Sequence, residues 1–180
     1  GKSTLLDILS SLIIPDKGEI KINDKKIDSK NFFWGKEMSY ISQNTDLFND
    51  TIEYNITFGN TSEKINKKKL EYSLKASNLV KFVEGLPDGL KTVVGEKGSQ
   101  ISTGQKQRIN IARAFYNDAK VLIMDESTNS LDTTNEELIF KDILKIKKNL
   151  IVIIVSHNKN LLKKFCDNLF ELNEYQLNRI

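Results

Sequence analysis

The sequence predicts an α/β fold in which crossover helices connect a mostly parallel β-sheet, with a helical subdomain inserted. Residues 121–124 and 150–155 are continuous apolar runs, which are typical of strands covered on both faces. Helical periodicity follows each run, and this alternation is typical of a parallel sheet. From about residue 50 to residue 117 short helical segments interrupt the alternation, which predicts the subdomain.

The first half of the chain opens with a predicted helix. Apolar residues recur at helical spacing from Leu5 until Pro15 stops the pattern. Alternation at residues 20–22 predicts a short strand, and residues 38–42 predict a second one. The helices of the subdomain are predicted at residues 51–58, 67–77 and 79–84, before a turn-rich connection that reaches residue 98.

In the second half of the chain, predicted strands and helices alternate. Ser102 and Gln105 form a capping-box pattern, which predicts a helix that runs to about Tyr116. Further helices are predicted at residues 134–146 and 161–165, and a final strand at residues 169–172 precedes a predicted hairpin.

Composition limits the classes of function. A chain of 180 residues with 39% hydrophobic and 28% charged residues is globular and large enough for one core. Its net charge of +3 is too small to indicate a nucleic-acid partner. Cys166 is the single cysteine, which excludes an internal disulfide and a cysteine-cluster metal site. The longest apolar run, residues 150–155, is far shorter than the ~20 residues that span a bilayer.

The chain begins with Gly1-Lys2-Ser3-Thr4, the second half of the phosphate-binding motif G-x-x-x-x-G-K-[ST]. Such a site needs backbone N–H groups at a helix start, a lysine for the outer phosphates and a hydroxyl for Mg²⁺. The tetrapeptide alone is weak evidence, because it also occurs in ordinary helix caps. The amphipathic helix that follows at once strengthens it. We therefore expect that nucleotide phosphates bind here and that the chain starts within its phosphate-binding loop.

Asp125 and Glu126 follow the apolar run at residues 121–124, where parallel strands present side chains to ligands. Asp125 can hold Mg²⁺ through water, and Glu126 can act as general base toward the attacking water. The alternative is that the acidic pair merely ends the strand and caps the next turn. Taken alone, the pair leaves the two interpretations about equal.

His157 and Gln43 also follow predicted strands. A lone histidine is more often structural, but His157 belongs to the same sheet edge as Glu126, which favours a contact with a γ-phosphate oxygen. Gln43 offers an uncharged oxygen to a metal. Without the rest of the pattern, an ordinary exposed loop residue is the better explanation of Gln43.

The order of these motifs resembles the ABC ATPase family over essentially the whole chain. Residues 101–105, I-S-T-G-Q, look like the family's signature L-S-G-G-Q, and K-Q-R continues it as the family does. Residues 129–132, N-S-L-D, are similar to the family's S-A-L-D turn. Because six motifs occur in register, the chain is identified as an ABC ATPase domain over residues 1–180, of P-loop NTPase-like fold and incomplete at its N-terminus.

The resemblance implies two such domains, head to tail, which enclose two ATP molecules with Mg²⁺. Lys2, Glu126 and His157 would be the catalytic residues. Ser102, Gly104 and Gln105 would close over the ATP of the partner domain. The residues implied to bind nucleotide are Gly1, Lys2, Ser3, Thr4, Gln43, Ser102, Gly104, Gln105, Asp125 and Asp132. Those implied to bind the metal are Ser3, Gln43 and Asp125.

Two further stretches look like the exporter type of the family. They are residues 40–59, which include Y-I-S-Q and T-I-E-Y-N-I-T-F-G, and residues 92–98, which resemble the segment that touches the membrane domain. The resemblance therefore implies ATP hydrolysis that powers export, at the cytoplasmic face of a membrane. The transmembrane domain would be fused upstream or supplied separately.

Two other functions stay open at this point. One is a soluble ABC ATPase that acts on ribosomes or nucleic acid, although no basic stripe or coiled-coil insertion is visible. The other is a catalytically inert regulatory domain, which a measurement of ATPase activity separates from the exporter.

Thr103 departs from the family, which usually has glycine there. One interpretation is that a helical conformation tolerates threonine at a small cost in helix propensity. The other is that a side chain near phosphate weakens closure of the two domains, in a heterodimer with unequal sites. Because Lys2, Glu126 and His157 are intact, we expect ordinary or slightly reduced turnover. The fragment by itself, without the first part of the phosphate loop, is expected to bind ATP poorly.

Overall fold

The computed structural model describes residues 1–26, 37–42, 46–58, 64–127, 133–146, 150–174 and 176–180. The helices are α1 (Lys2–Leu9), α2 (Ile52–Thr57), α3 (Lys67–Ala76), α4 (Val80–Glu84), α5 (Thr103–Tyr116), α6 (Thr133–Ile146) and α7 (Lys159–Phe165). The strands are β1 (Lys21–Ile22), β2 (Lys25–Lys26), β3 (Met38–Ile41), β4 (Val121–Asp125), β5 (Ile151–Val155), β6 (Phe170–Asn173) and β7 (Gln176–Arg179). Single 3₁₀ turns occupy Gly89–Lys91 and Glu96–Gly98.

The central sheet has the order β3-β4-β5, and both of its pairings are parallel. Tyr40 on β3 lies opposite Ile123 on β4, which in turn lies opposite Ile153 on β5. All three strands therefore end at the same edge of the sheet. The prediction of a parallel sheet with crossover helices is confirmed. Two antiparallel hairpins, β1-β2 and β6-β7, accompany the sheet.

Strand β4 is covered on both faces, as its apolar sequence predicts. Val121 and Ile123 contact Leu6 of α1 on one face. Leu122 and Met124 pack on the other face against apolar residues of α5 and α6. Because successive side chains of a strand point to opposite faces, this one strand serves both layers of the core.

Strand β5 does not match the expectation of a fully buried strand. Ile151 is 63% exposed, and the other four residues are only half-buried. The reason is that β5 pairs with β4 alone among the described residues. A largely apolar groove of about 580 Å³ lies beside β5, and α1, α7 and the β6-β7 hairpin also line it.

Helix α1 is shorter than its apolar pattern suggests. The pattern continues to Pro15, but the helix ends at Leu9, and Ser11 adopts a left-handed conformation with φ 60°. Leu12, Ile13 and Ile14 are consequently exposed to solvent. The apolar periodicity therefore overestimated the length of this helix.

Helices α2 to α5 pack around an apolar core of their own. Ile52, Ile56, Leu74 and Ile109 are among its buried residues. Ile111 and Phe115 of α5 belong instead to the core beside the sheet, so α5 is shared by both clusters. The division of residues 50–117 into a separate subdomain stays a prediction. None of the described helices has the length and apolar character that crossing a membrane requires.

Candidate functional site

The carboxyl ends of β4 and β5 bring Glu126 and His157 together. The Nε2 atom of His157 lies 2.9 Å from Oε1 of Glu126. The backbone N–H of Glu126 donates to the carbonyl oxygen of Val155 at 2.9 Å, which continues the ladder between the two strands. Sequence analysis predicted that both residues belong to one edge, and the parallel register explains why they meet there.

Glu126 occupies an unusual backbone conformation. Its φ of 48° lies in the left-handed region, which costs a residue with a Cβ atom about 1 kcal/mol or more. Such residues persist where the surroundings hold them, and they concentrate at functional sites. The neighbours of Glu126 on either side, Asp125 and the buried Ser127, complete this turn.

Tyr40 is a member of the site that sequence analysis did not identify. Its hydroxyl donates to Oδ2 of Asp125 at 2.9 Å. Burial raises the pKa of the Tyr40 hydroxyl, and the hydrogen bond to Asp125 and the charges of Asp125 and Asp7 raise it further. The hydroxyl therefore stays protonated and acts as a donor to Asp125. A tyrosine in the strand beside β4 is the only sequence signal for this contact.

The start of α1 carries the G-K-S-T sequence. Among the described residues, no side chain caps this helix. The first N–H groups of a helix have no partner within the helix, and the dipole adds positive potential there. Lys2 lines the same apolar groove as Val155 and Ser156 at the end of β5. This arrangement suits an anion such as phosphate.

The start of α5 carries the predicted capping box, which is confirmed. The N–H of Ser102 donates to Oε1 of Gln105 at 2.8 Å, and the N–H of Gln105 donates to Oγ of Ser102 at 3.3 Å. Since the Ser102 hydroxyl accepts in this box, its own proton is available to an external acceptor. Thr103 is exposed at the first helical position, and the box forms with threonine there.

Gln107, also absent from the predicted site, lies one turn into α5. Its side chain is fully buried, and Nε2 donates to Oγ of Ser127 at 3.2 Å. Its place on the apolar face of α5, four residues before Ile111, is a weak signal in the sequence. The contact connects the helix that begins with the capping box to the turn that carries Glu126.

The described residues include oxygen donors of the type that a magnesium ion binds. Asp125 is half-buried at the end of β4, and Ser3 exposes its hydroxyl in the first turn of α1. Within the part of the chain that the structure describes, no three His, Cys, Asp or Glu side chains form a metal-binding group. Mg²⁺ does not need one, because it prefers few protein oxygens and completes its shell with water and phosphate oxygens.

Two predicted site residues, Gln43 and Asp132, lie outside the described residues, as do the other residues of the N-S-L-D motif. The structure therefore describes Gly1, Lys2, Ser3, Thr4, Ser102, Gly104, Gln105, Asp125, Glu126 and His157 of the predicted set.

Comparison with known proteins identifies related sequences. The family model described as ABC transporter matches residues 1–129. A Haemophilus influenzae protein named "Probable ABC transporter ATP-binding/permease protein" is 37% identical over 170 residues, which are 94% of this chain and 30% of that protein. An ATP-dependent lipid A-core flippase of Vibrio cholerae is 34% identical over 178 residues, 98% of this chain and 30% of that protein.

A solved structure shares the fold. A bacterial Atm1-family ABC exporter with ATP bound superposes with a TM-score of 0.84 at 29% identity, over 99% of this chain and 31% of that chain. The chain thus spans less than a third of the length of these relatives.

Proposed function

The chain belongs to the ABC transporter family, and from this premise we propose that it binds and hydrolyses ATP with Mg²⁺ to power export across a membrane. The observation that carries the proposal is the 2.9 Å contact between Glu126 and His157, at the end of the strand whose groove Lys2 also lines. Nucleotide hydrolysis requires a base, a polar partner for phosphate and an anion site, and Glu126, His157 and the start of α1 can supply these groups.

In this proposal the start of α1 binds the phosphates of ATP. The ammonium group of Lys2 neutralises the outer phosphates, and the N–H groups of residues 1–4 donate to their oxygens. Ser3 and Asp125 would hold the magnesium ion, with Gln43 as a further oxygen donor. The ion would supply charge neutralisation of the phosphates.

In this proposal Glu126 and His157 catalyse the hydrolysis of ATP. The Glu126 carboxylate accepts the proton of the attacking water, which makes the water a better nucleophile. In the ATP-bound state the Nε2–H of His157, which lies against Glu126 in this structure, would donate instead to a γ-phosphate oxygen and so stabilise charge that develops there. The contact between the two side chains orients both before the phosphates arrive.

A second copy of the domain would complete each site. Ser102, Gly104 and Gln105 stand at the start of α5, whose N–H groups and Ser102 hydroxyl proton suit the γ-phosphate of an ATP held by the partner. Asp132 would lie near the contact between the copies. Because each site needs both domains, hydrolysis would follow closure of the pair.

The membrane-spanning part would belong to the same protein or to a separate subunit. The relative from Haemophilus influenzae carries ATP-binding and permease in its name, and it is about three times longer than this chain. We therefore favour a fused membrane domain, with this domain at the cytoplasmic face. The exporter relatives support transport over the soluble alternative.

Glu126→Gln in the complete protein tests this function. The amide keeps the size of the side chain but cannot accept a proton, so we expect ATP to bind and hydrolysis to fall by at least about 100-fold. Glu84→Gln, the same change at an exposed position on α4, is the control and should keep wild-type turnover. Wild-type turnover in Glu126→Gln would remove Glu126 from the role of base.

A further inference from the structure

We propose that Gln107 is a positioning residue, which fixes the turn that carries Glu126 and ties it to the start of α5. This inference rests on the proposed function and deepens it. If each chain uses Glu126 on its own ATP and α5 on the ATP of its partner, Gln107 links the two ATP sites within one chain.

The buried amide of Gln107 calls for an explanation. The residue is 0% exposed, Nε2 donates to Ser127, and Oε1 has no partner among the described residues. A buried amide with an unsatisfied oxygen is less favourable than an apolar side chain of the same size. Stability alone would therefore favour methionine or leucine at this position, so the hydrogen bond has another use.

Ser127 receives this hydrogen bond directly beside Glu126. It is 3% exposed, and its neighbour Glu126 is held in the left-handed conformation. On the strand side, the N–H of Glu126 donates to Val155. On the other side, Gln107 holds Ser127. The turn is thus fixed before and after Glu126, which keeps the carboxylate within 2.9 Å of His157.

The position of Gln107 on α5 couples this residue to movement of the helix start. Ser102 caps the helix, and Gln107 follows five residues later, roughly 7.5 Å along the axis. A helix of this length moves as a rigid element, and Ile111 and Phe115 further along pack beside the sheet. When the start of α5 closes over the ATP of the partner, Gln107 would transmit the shift to Ser127 and so to Glu126.

Matched variants of the complete transporter separate this role from packing. Gln107→Met removes the amide but keeps an unbranched side chain of similar volume, and Ser127→Ala removes the acceptor. Both variants and the double variant are compared by ATPase rate as a function of ATP concentration. Ser127→Thr keeps the hydroxyl and serves as the conservative variant.

We expect Gln107→Met and Ser127→Ala to lower kcat about tenfold or more, because a small displacement of a catalytic group is costly. KM should stay within about twofold. The double variant should have the same kcat as the single variants. Ser127→Thr should retain most of the wild-type kcat. In Gln107→Met and Ser127→Ala, the Hill coefficient for ATP should fall from above 1 toward 1. Ser73→Ala, which removes the hydrogen bond of another buried side chain, on α3, should keep the wild-type kcat.

Several outcomes would overturn the inference. An unchanged kcat, or additive losses in the double variant, would show that the two side chains do not act together. The thermal midpoint of each variant is measured as well. If kcat falls only where the thermal midpoint falls, and Ser73→Ala behaves in the same way, Gln107 has a packing role. An unchanged Hill coefficient would remove the link between sites. A wild-type protein without ATPase activity would instead refute the proposed function itself.

Discussion

Glu126 and His157 come from the ends of neighbouring parallel strands, and their side chains meet at 2.9 Å between Oε1 and Nε2. The carboxylate is mostly covered, with 24% of its side chain exposed, whereas 70% of the imidazole is exposed. The histidine is therefore open toward a ligand on its outer side while it contacts the carboxylate.

His157→Ala is expected to lower kcat of the complete protein by about 100-fold, because a donor to the developing phosphate charge is lost. Nucleotide affinity should change less than about threefold, since Lys2 and the start of α1 remain. The measurement is steady-state ATPase activity together with fluorescent-nucleotide binding. His157→Gln keeps one donor and should retain more activity than the alanine variant; equal loss in both would argue against donation by this side chain.

Lys2→Ala is expected to lower the affinity for ATP by about tenfold or more, because the ammonium group is the point charge assigned to the outer phosphates. Equilibrium binding under conditions without hydrolysis measures this. Lys17→Ala removes a lysine of the exposed loop after α1 and should bind ATP as the wild type does. Equal affinity in Lys2→Ala would place the phosphates elsewhere.

Thr103→Gly is expected to change turnover by no more than about twofold. Thr103 is exposed at the first position of α5, and the capping box of Ser102 and Gln105 forms with it in place. Glycine would weaken the helix only slightly, by roughly 0.3 kcal/mol relative to threonine. A tenfold gain in ATPase rate would instead show that the threonine side chain hinders closure over phosphate.

Asp142→Asn is expected to destabilise the protein in a pH-dependent way. Arg108 donates to Asp142 at 2.8 Å and joins α5 to α6. Partial burial alone would raise the pKa of the Asp142 carboxyl, but hydrogen bonds from Arg108, Lys145 and Asn78 outweigh it and hold the pKa below its usual value. The ionised carboxylate therefore contributes stability above the unfolded pKa, and this contribution is lost as pH falls through the folded pKa.

The thermal midpoint of Asp142→Asn should lie about 5 °C below that of the wild type at pH 7. The difference should narrow as the pH falls below about 4. Asp118→Asn removes an exposed ion pair with Lys69 and should shift the midpoint by less than about 2 °C at any pH. If the difference in thermal midpoint between Asp142→Asn and the wild type did not depend on pH, this would contradict the stabilising role of the ionised Asp142 carboxylate.

Local signals determined much of what the sequence alone could predict. The apolar run of β4 predicted a strand covered on both faces, because strands that helices cover on both sides consist of consecutive apolar residues. The spacing of Ser102 and Gln105 predicted the start of α5, because a capping box needs only neighbouring residues. The order of the motifs predicted the family, and the positions of Glu126 and His157 after two apolar strands predicted their shared edge.

Only the tertiary structure decided the contacts between distant residues. Tyr40 reaches Asp125 across 85 positions, and Gln107 reaches Ser127 across 20, through a strand register and a helix position that no local pattern specifies. Propensity and capping act between residues close in the chain, whereas pairing and packing depend on the whole fold.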